Sequence, residues 1–146
     1  MYFSDLVNQS STKNQLIDLF KQSRVPHAIL LSGASGCGHL QLALSFSALL
    51  LCETPNENDA CKSCSSCIKY EKLQHPDLHL SFPIHLSKAE HSEISDDRRE
   101  LFVSSLDKFK CIGKKTWYST MGNETKQGVI GVKESQSIIK KMNLKS

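Results

Sequence analysis

The sequence predicts an α/β fold in which helices cover both faces of a parallel sheet to form three layers, with a small metal-binding module attached. A short apolar run at residues 27–32 is typical of a strand that is buried on both faces. A glycine-rich turn at 33–38 follows, and residues 39–51 are apolar nearly all round, as in a helix packed deep against a sheet. The metal-binding module is predicted from a cysteine cluster at 52–67.

The composition is that of an ordinary domain, with 146 residues of which 39% are hydrophobic and 23% charged. The net charge of +3 permits contact with nucleic acid but does not indicate it, because no run of lysine and arginine stands out. The longest apolar stretch, residues 40–52, is too short to cross a bilayer, and the N-terminus lacks a signal-peptide pattern. These features predict a cytoplasmic protein, in which clustered cysteines favour metal over disulfides.

The elements of the first half follow from periodicity and from turn residues. Thr12 and Gln15 match a capping box, so an amphipathic helix is predicted over residues 12–24, ended by Pro26. Apolar and polar residues alternate over 78–84, which indicates a second strand.

The second half of the chain shows weaker patterns. Residues 87–97 are polar and are predicted to be exposed, and residues 110–128 are predicted to form a loop because they lack a period and contain glycines. Apolar residues at helical spacing predict helices over 97–109 and 132–142. No strand follows the last helix in the sequence, so we expect the sheet to be incomplete at its C-terminal side.

The glycine-rich turn has the spacing of a phosphate-binding loop, G-x-x-x-x-G-K-[ST], between a strand and a helix. Gly33, Gly36 and Gly38 are the candidate residues of an anion-binding backbone nest. His39 stands in the position of the lysine, and Leu40 stands in the position of the hydroxyl that binds Mg²⁺. The charge and the metal ligand needed for phosphoryl transfer are both missing, so we expect a degenerate P-loop without hydrolysis.

The turn permits comparison with two other motifs. A strand–turn–helix whose glycines serve only tight packing remains open on the motif alone. A nucleophile elbow, G-x-S-x-G, is excluded because Ser35 follows Gly33 but Cys37 occupies the second glycine position.

The cysteine cluster predicts a structural zinc site. Cys61, Cys64 and Cys67 form a C-x-x-C-x-x-C run, and Cys52 lies nine residues before it. Four thiolates complete a tetrahedral Zn²⁺ shell and leave no position for substrate water. Free thiols, a redox pair and an iron–sulfur cluster are weaker alternatives, and His75 is a conceivable but unneeded fourth ligand.

Several other residues are predicted to have structural roles. Cys37 is isolated in the sequence, so we expect it to be buried or inert. Trp117 and Tyr118 lie in a poorly patterned region, where packing is favoured over stacking on nucleic acid. Asp96 or Asp97 is predicted to cap the helix that follows.

The order of these motifs resembles that in the bacterial clamp-loader subunits of DNA polymerase III, an AAA+ family. A P-loop-like turn at 33–40 is followed by a C-x8-C-x2-C-x2-C insert at 52–67 and by His-Pro-Asp at 75–77. Residues 131–140 resemble the helix ahead of that family's Walker B strand. The exception is residues 87–128, which are longer than the usual connection and are treated as an unassigned insert.

The resemblance implies a role within that family. Motor subunits (gamma and tau) keep the P-loop lysine and hydroxyl whereas delta-prime subunits often do not, so His39 and Leu40 point to delta-prime. Residues 1–146 would then be the N-terminal part of an AAA+, P-loop NTPase-like domain, with structural zinc at about 52–68 and no ATP chemistry. The implied partners are the gamma/tau and delta subunits and, indirectly, the sliding clamp and primed DNA. An arginine finger, the Walker B residues and a collar domain are expected beyond Ser146.

Two alternative functions remain. The chain is also compatible with an active ATPase motor subunit of the same family, against which His39 and Leu40 count. A zinc-ribbon module that binds nucleic acid is the third hypothesis, and it predicts DNA affinity that falls steeply with salt.

Overall fold

The computed structural model describes residues 1–85, 94–109, 112–122 and 125–143. These form two compact units, Met1–Leu78 and His79–Ser146. The helices are α1 (Ser10–Lys21), α2 (His39–Leu51), α3 (Ser65–Glu71), α4 (Arg99–Phe109), α5 (Lys114–Thr120) and α6 (Val132–Met142), with 3₁₀ turns at Phe3–Asp5 and Ser95–Arg98. Within the described ranges, none of these helices has the length and apolar character needed to span a membrane.

The first unit has a small helical core. α1, α2 and the N-terminal 3₁₀ turn pack together, and α2 has the bounds predicted for it. The cluster at their contact is fully or nearly fully buried and consists of Phe3, Leu16, Ile17, Leu42, Phe46 and Leu49. Each such side chain contributes about 1.5–3 kcal/mol by leaving water, so this cluster is the main support of the unit.

The predicted first helix is confirmed, but its start differs. Gln9 adopts a left-handed backbone with φ of 60°, and its carbonyl accepts the N–H of Lys13 at 3.0 Å. Thr12 therefore lies inside α1, and the predicted capping box is wrong. The Lys13 ammonium donates to the Phe3 carbonyl at 2.9 Å and lies over the Phe3 ring. The first turn of α1, which begins at Ser10, is therefore in contact with the N-terminal 3₁₀ turn.

The two predicted strands do not form a sheet. Residues 27–32 contain no regular element and are largely exposed, with Leu30 89% exposed, although Leu31 packs against the core of the first unit. Residues 78–84 keep only one antiparallel bridge, between Ile84 and Val129. A strand needs a hydrogen-bonded neighbour, and no described segment pairs with 27–32. The described part of the chain is therefore helical, and the predicted parallel sheet is absent from it.

The second unit is built around three aromatic rings. Phe82 stacks on Phe102 with centroids 4.1 Å apart, and the edge of Trp117 meets both rings at 5.1 and 5.2 Å. The indole N–H of Trp117 donates to the Pro83 carbonyl at 2.6 Å. The predicted packing role of Trp117 is confirmed. The predicted loop at 110–128 is wrong over α5, because a seven-residue helix is too short to show a period.

A buried polar contact joins the start of α4 to α6. Ser95 is 1% exposed; its hydroxyl accepts the Phe82 N–H at 2.9 Å and donates to the Phe82 carbonyl at 3.0 Å. The Ser95 N–H donates to a carboxylate oxygen of Glu134 at 2.6 Å, and Glu134 is itself buried. The predicted exposure of 87–97 is therefore wrong at Ser95, whereas residues 86–93 lie outside the described ranges. The predicted cap at Asp96 or Asp97 is wrong, because both lie inside the Ser95–Arg98 turn, whose N-cap is Ile94; Asp97 accepts the N–H of Ile94 at 3.3 Å.

Replacing Ser95 with alanine is expected to lower the free energy of unfolding by about 1–3 kcal/mol, because the Phe82 N–H would be left buried without a partner. Ser104→Ala is the matched control, since Ser104 is exposed and bonds only within α4, to the Leu101 carbonyl. Urea unfolding of both variants checks the prediction. Equal stabilities for the two would contradict it.

Candidate metal centre and glycine loop

The structure brings the four predicted cysteines together. Cys52 follows the last residue of α2, Cys64 precedes α3 as its N-cap, and Cys67 lies in the first turn of α3. Between them, Lys62 has a left-handed backbone (φ 67°), which turns the chain from Cys61 to Cys64 around one centre. All four sulfur atoms lie within 4.8 Å of one another.

The sulfur positions fit a tetrahedral metal ion. A Zn–S bond of about 2.3 Å gives a sulfur–sulfur edge of about 3.8 Å in a regular tetrahedron. The Cys52–Cys67 sulfurs are 3.6 Å apart, and the Cys52–Cys64 and Cys61–Cys67 sulfurs are 3.9 Å apart. These distances are far longer than a disulfide bond, about 2.05 Å, and they match the edge of a Zn–Cys₄ site.

Backbone N–H groups point at the sulfurs. The N–H groups of Cys61, Cys64 and Cys67 donate to the sulfurs of Cys52, Cys61 and Cys64, at 3.3, 3.3 and 3.4 Å respectively. Such bonds favour the thiolate form, which is the form that binds metal.

The pKa values of the thiols follow their surroundings. The pKa of Cys61 is lowered to about 5, mainly by a hydrogen bond with Thr54 and also by backbone N–H donors. The backbone N–H of Cys67 is the largest cause of a lowered pKa at Cys64. Burial raises the pKa of Cys52 and of Cys67. The cluster therefore mixes thiols that ionise readily with thiols that need a cation to do so.

The cysteine module is fastened to the N-terminal turn of the first unit. One carboxylate oxygen of Asp59 accepts the N–H of Phe3 at 3.1 Å, and the other accepts the N–H of Ser4 at 2.9 Å. The Lys62 ammonium donates to the Ser4 hydroxyl at 2.6 Å and lies over the Tyr2 ring. The importance of Asp59 is not apparent in the sequence, because its partners are more than fifty residues away in the chain.

A second set of bonds joins the module to α2. The Tyr70 hydroxyl donates to the Leu44 carbonyl, and the Ser66 hydroxyl donates to the Leu51 carbonyl. Both side chains come from α3 and are buried. His75 is not a member of the sulfur cluster; its Nδ1 accepts the Asp77 N–H at 3.1 Å. Order at the cysteines is therefore coupled to order in the helical core.

Two glycines of the glycine-rich loop have backbone angles that residues with side chains rarely adopt. Gly36 and Gly38 have φ of +85° and +84°, in the left-handed region that L side chains rarely adopt. A Cβ on Gly33 would lie 2.6 Å from the Cys37 sulfur. The loop leads directly into α2, which begins at His39. Gly36 and Gly38 are thus favoured by the local backbone, whatever the loop binds, whereas at Gly33 the Cys37 side chain would have to move.

The two non-matching P-loop positions lie at the start of α2. Nδ1 of His39 lies 3.2 Å from the sulfur of Cys37, a hydrogen-bonding distance, and Leu40 is half-buried. Cys37 is only partly buried. Neither His39 nor Leu40 offers a fixed positive charge or a hydroxyl at this helix start.

A family model and two relatives point to subunits of DNA polymerase III. A family model described as "DNA polymerase III, delta subunit" matches residues 8–143. The chain is 36% identical over 72 residues to DNA polymerase III subunit delta' of Bacillus subtilis, covering 49% of this chain and 22% of that protein. It is 31% identical over 71 residues to DNA polymerase III subunit gamma of Buchnera aphidicola, covering 49% of this chain and 20% of that protein.

A plant protein is also similar. The chain is 34% identical over 67 residues to Protein STICHEL of Arabidopsis thaliana, covering 46% of this chain and 6% of that protein. The aligned parts span less than a quarter of the length of each of these relatives. No solved structure matches the chain. Because the family match extends over nearly the whole sequence, the chain belongs to the DNA polymerase III delta subunit family of clamp-loader proteins.

Proposed function

We propose that this chain is part of a stator-like, non-catalytic subunit of the delta-prime type, which takes part in loading the sliding clamp onto primed DNA. Its direct partners would be the gamma/tau and delta subunits, and its contact with the clamp and DNA would be indirect. Residues 1–146 would form the N-terminal part of an AAA+ domain, with the zinc module at about 52–68 and the insert at about 87–128. The family match supports this assignment.

The replacement of two P-loop residues carries the non-catalytic part of the proposal. A lysine ammonium at the helix start neutralises the β- and γ-phosphates, and a Ser or Thr hydroxyl binds Mg²⁺. His39 and Leu40 provide neither group, and the imidazole is directed toward Cys37 instead. A loop of this kind would lack the chemistry of a P-loop.

The zinc module has a structural role in this proposal. Cys52, Cys61, Cys64 and Cys67 would hold the ion, and four thiolates leave it no open position. When bound, zinc supplies a fixed cross-link between the end of α2 and the start of α3. Asp59 and Lys62 transmit that order to the N-terminal turn.

Titration of Mg²⁺–ATP into the purified chain by calorimetry tests the proposal, and we expect no measurable binding by the natural sequence. The double variant His39→Lys, Leu40→Thr restores the missing charge and hydroxyl and is the matched comparison. It is expected to gain nucleotide affinity while showing no turnover. Clear binding of ATP by the natural chain would contradict the stator assignment and favour the alternative, an ATPase motor subunit.

A further inference from the structure

The second unit contains a groove of about 1250 Å³ between α4, α5 and residues 125–127. Four lysines line it, from three separate segments: Lys108, Lys114, Lys115 and Lys126. Six serine and threonine side chains and one glutamine lie among them. None of the lining residues that the structure describes is acidic. The groove therefore presents a single sign of charge together with many hydrogen-bonding groups.

The lysines concentrate the charge of the chain. The net charge of the whole sequence is only +3, so these four side chains more than account for it, and the remaining residues are close to neutral. A groove lined by one sign of charge attracts polyanions more strongly than the net charge suggests. Three of the four lysines lie within the eight residues 108–115, and folding adds Lys126 from the segment before α6.

Aromatic rings lie beside two of the lysines. The Lys108 ammonium lies 5.1 Å from the centre of the Phe109 ring, and the Lys114 ammonium lies 5.6 Å from the centre of the Tyr118 ring. Phe109 is 43% exposed in the groove wall, whereas Tyr118 is buried. The Phe109 ring therefore has a surface on which a base could stack, which is the combination used by proteins that bind single strands.

The size and chemistry of the groove favour a nucleic acid over the alternatives. Small-molecule sites occupy about 300–1,000 Å³, whereas this groove is larger and is lined by four lysines. Hydroxyl, amide and lysine side chains are the usual donors to phosphate and sugar oxygens. An acidic peptide would use the lysines but would leave the exposed aromatic ring without a stacking partner.

We propose that this groove binds a single strand of nucleic acid through its phosphates, with Phe109 as a stacking surface. The assignment adds a direct contact with nucleic acid to the indirect contact of the proposed function, and it does not depend on the clamp-loader role. It also differs from a zinc-ribbon interaction, because every residue that it uses belongs to the second unit.

The test is fluorescence anisotropy of a labelled 15-mer of thymidine with the whole chain, across a series of salt concentrations. The double variant Lys114→Gln, Lys115→Gln removes two exposed charges from α5 and is expected to weaken binding at least about tenfold at 100 mM salt. Its plot of log affinity against log salt should be shallower by about 1.4, since each phosphate contact to a single strand contributes about 0.7. Phe109→Ala is expected to weaken binding roughly fivefold or more without changing that slope.

The control variant is Lys69→Gln, Lys72→Gln, which removes two exposed lysines near the cysteine module and leaves the same net charge. It is expected to bind as the natural chain does. Absence of binding, equal weakening by the control and groove variants, or equal competition by polyglutamate would overturn the proposal. Circular dichroism of all variants establishes that they are folded.

Discussion

Cys64→Ser is expected to abolish zinc binding and to lower the free energy of unfolding of the chain by more than about 4 kcal/mol, as loss of a structural metal does. Cys64 is a candidate ligand, and it also caps α3 by accepting the Cys67 N–H through its sulfur. Its loss would release the cross-link between α2 and α3. Metal content measured on the purified protein and thermal melting followed by circular dichroism check both parts.

The control for this variant is Cys37→Ser, because Cys37 is a thiol outside the sulfur cluster. It is expected to keep one zinc per chain. A chelator should destabilise the natural protein and the Cys37→Ser variant but have no further effect on Cys64→Ser. One equivalent of zinc and unchanged melting in Cys64→Ser would refute the assignment of the four ligands.

Trp117→Ala is expected to destabilise the second unit by about 3–5 kcal/mol, the usual cost of removing a buried aromatic side chain. Trp117 is 3% exposed and contacts the rings of both Phe82 and Phe102. The variant would also leave the Pro83 carbonyl without its indole donor. Urea unfolding followed by far-ultraviolet circular dichroism measures the change.

Trp117→Phe separates the contribution of ring packing from that of the indole hydrogen bond. It keeps an aromatic ring between Phe82 and Phe102 but removes the hydrogen bond to Pro83, so a smaller loss of about 1–2 kcal/mol is expected. Trp117 is the single tryptophan of the chain, so its fluorescence reports unfolding of this unit in the natural protein. A loss below about 1 kcal/mol for Trp117→Ala would show that the aromatic cluster does not support the unit.

The helices of the chain were predictable where the pattern of apolar residues extends over several consecutive turns. Residues 39–51 are apolar and bounded by Gly38, and α2 has those ends in the structure. α5 was not predicted, because its seven residues bury only Trp117 and Tyr118, which are adjacent and form no repeat. Ser95 was expected to be exposed, and its burial depends on Phe82 and Glu134, which lie far from it in the sequence.

The candidate metal site was predictable residue by residue. The spacing of Cys61, Cys64 and Cys67 brings three sulfurs to one centre through a single turn and the start of a helix. Cys52 is placed by the end of α2, a helix that the sequence also predicts. Asp59 was not predictable, because its partners at the N-terminus are brought to it only by folding.

Short-range patterns in the sequence were enough to predict the cysteine module, the glycine loop without its lysine and hydroxyl, and most helix positions. Each of these features depends on residues that are close together in the sequence. The sheet expected from residues 27–32 and 78–84 depends on pairing between distant segments, and the described residues supply only the Ile84–Val129 bridge. The basic groove was only partly apparent, because Lys108, Lys114 and Lys115 are close together in the sequence. Only the tertiary structure brings Lys126 and the hydroxyl groups of the lining to the same surface, and charge on a surface is set by proximity in space.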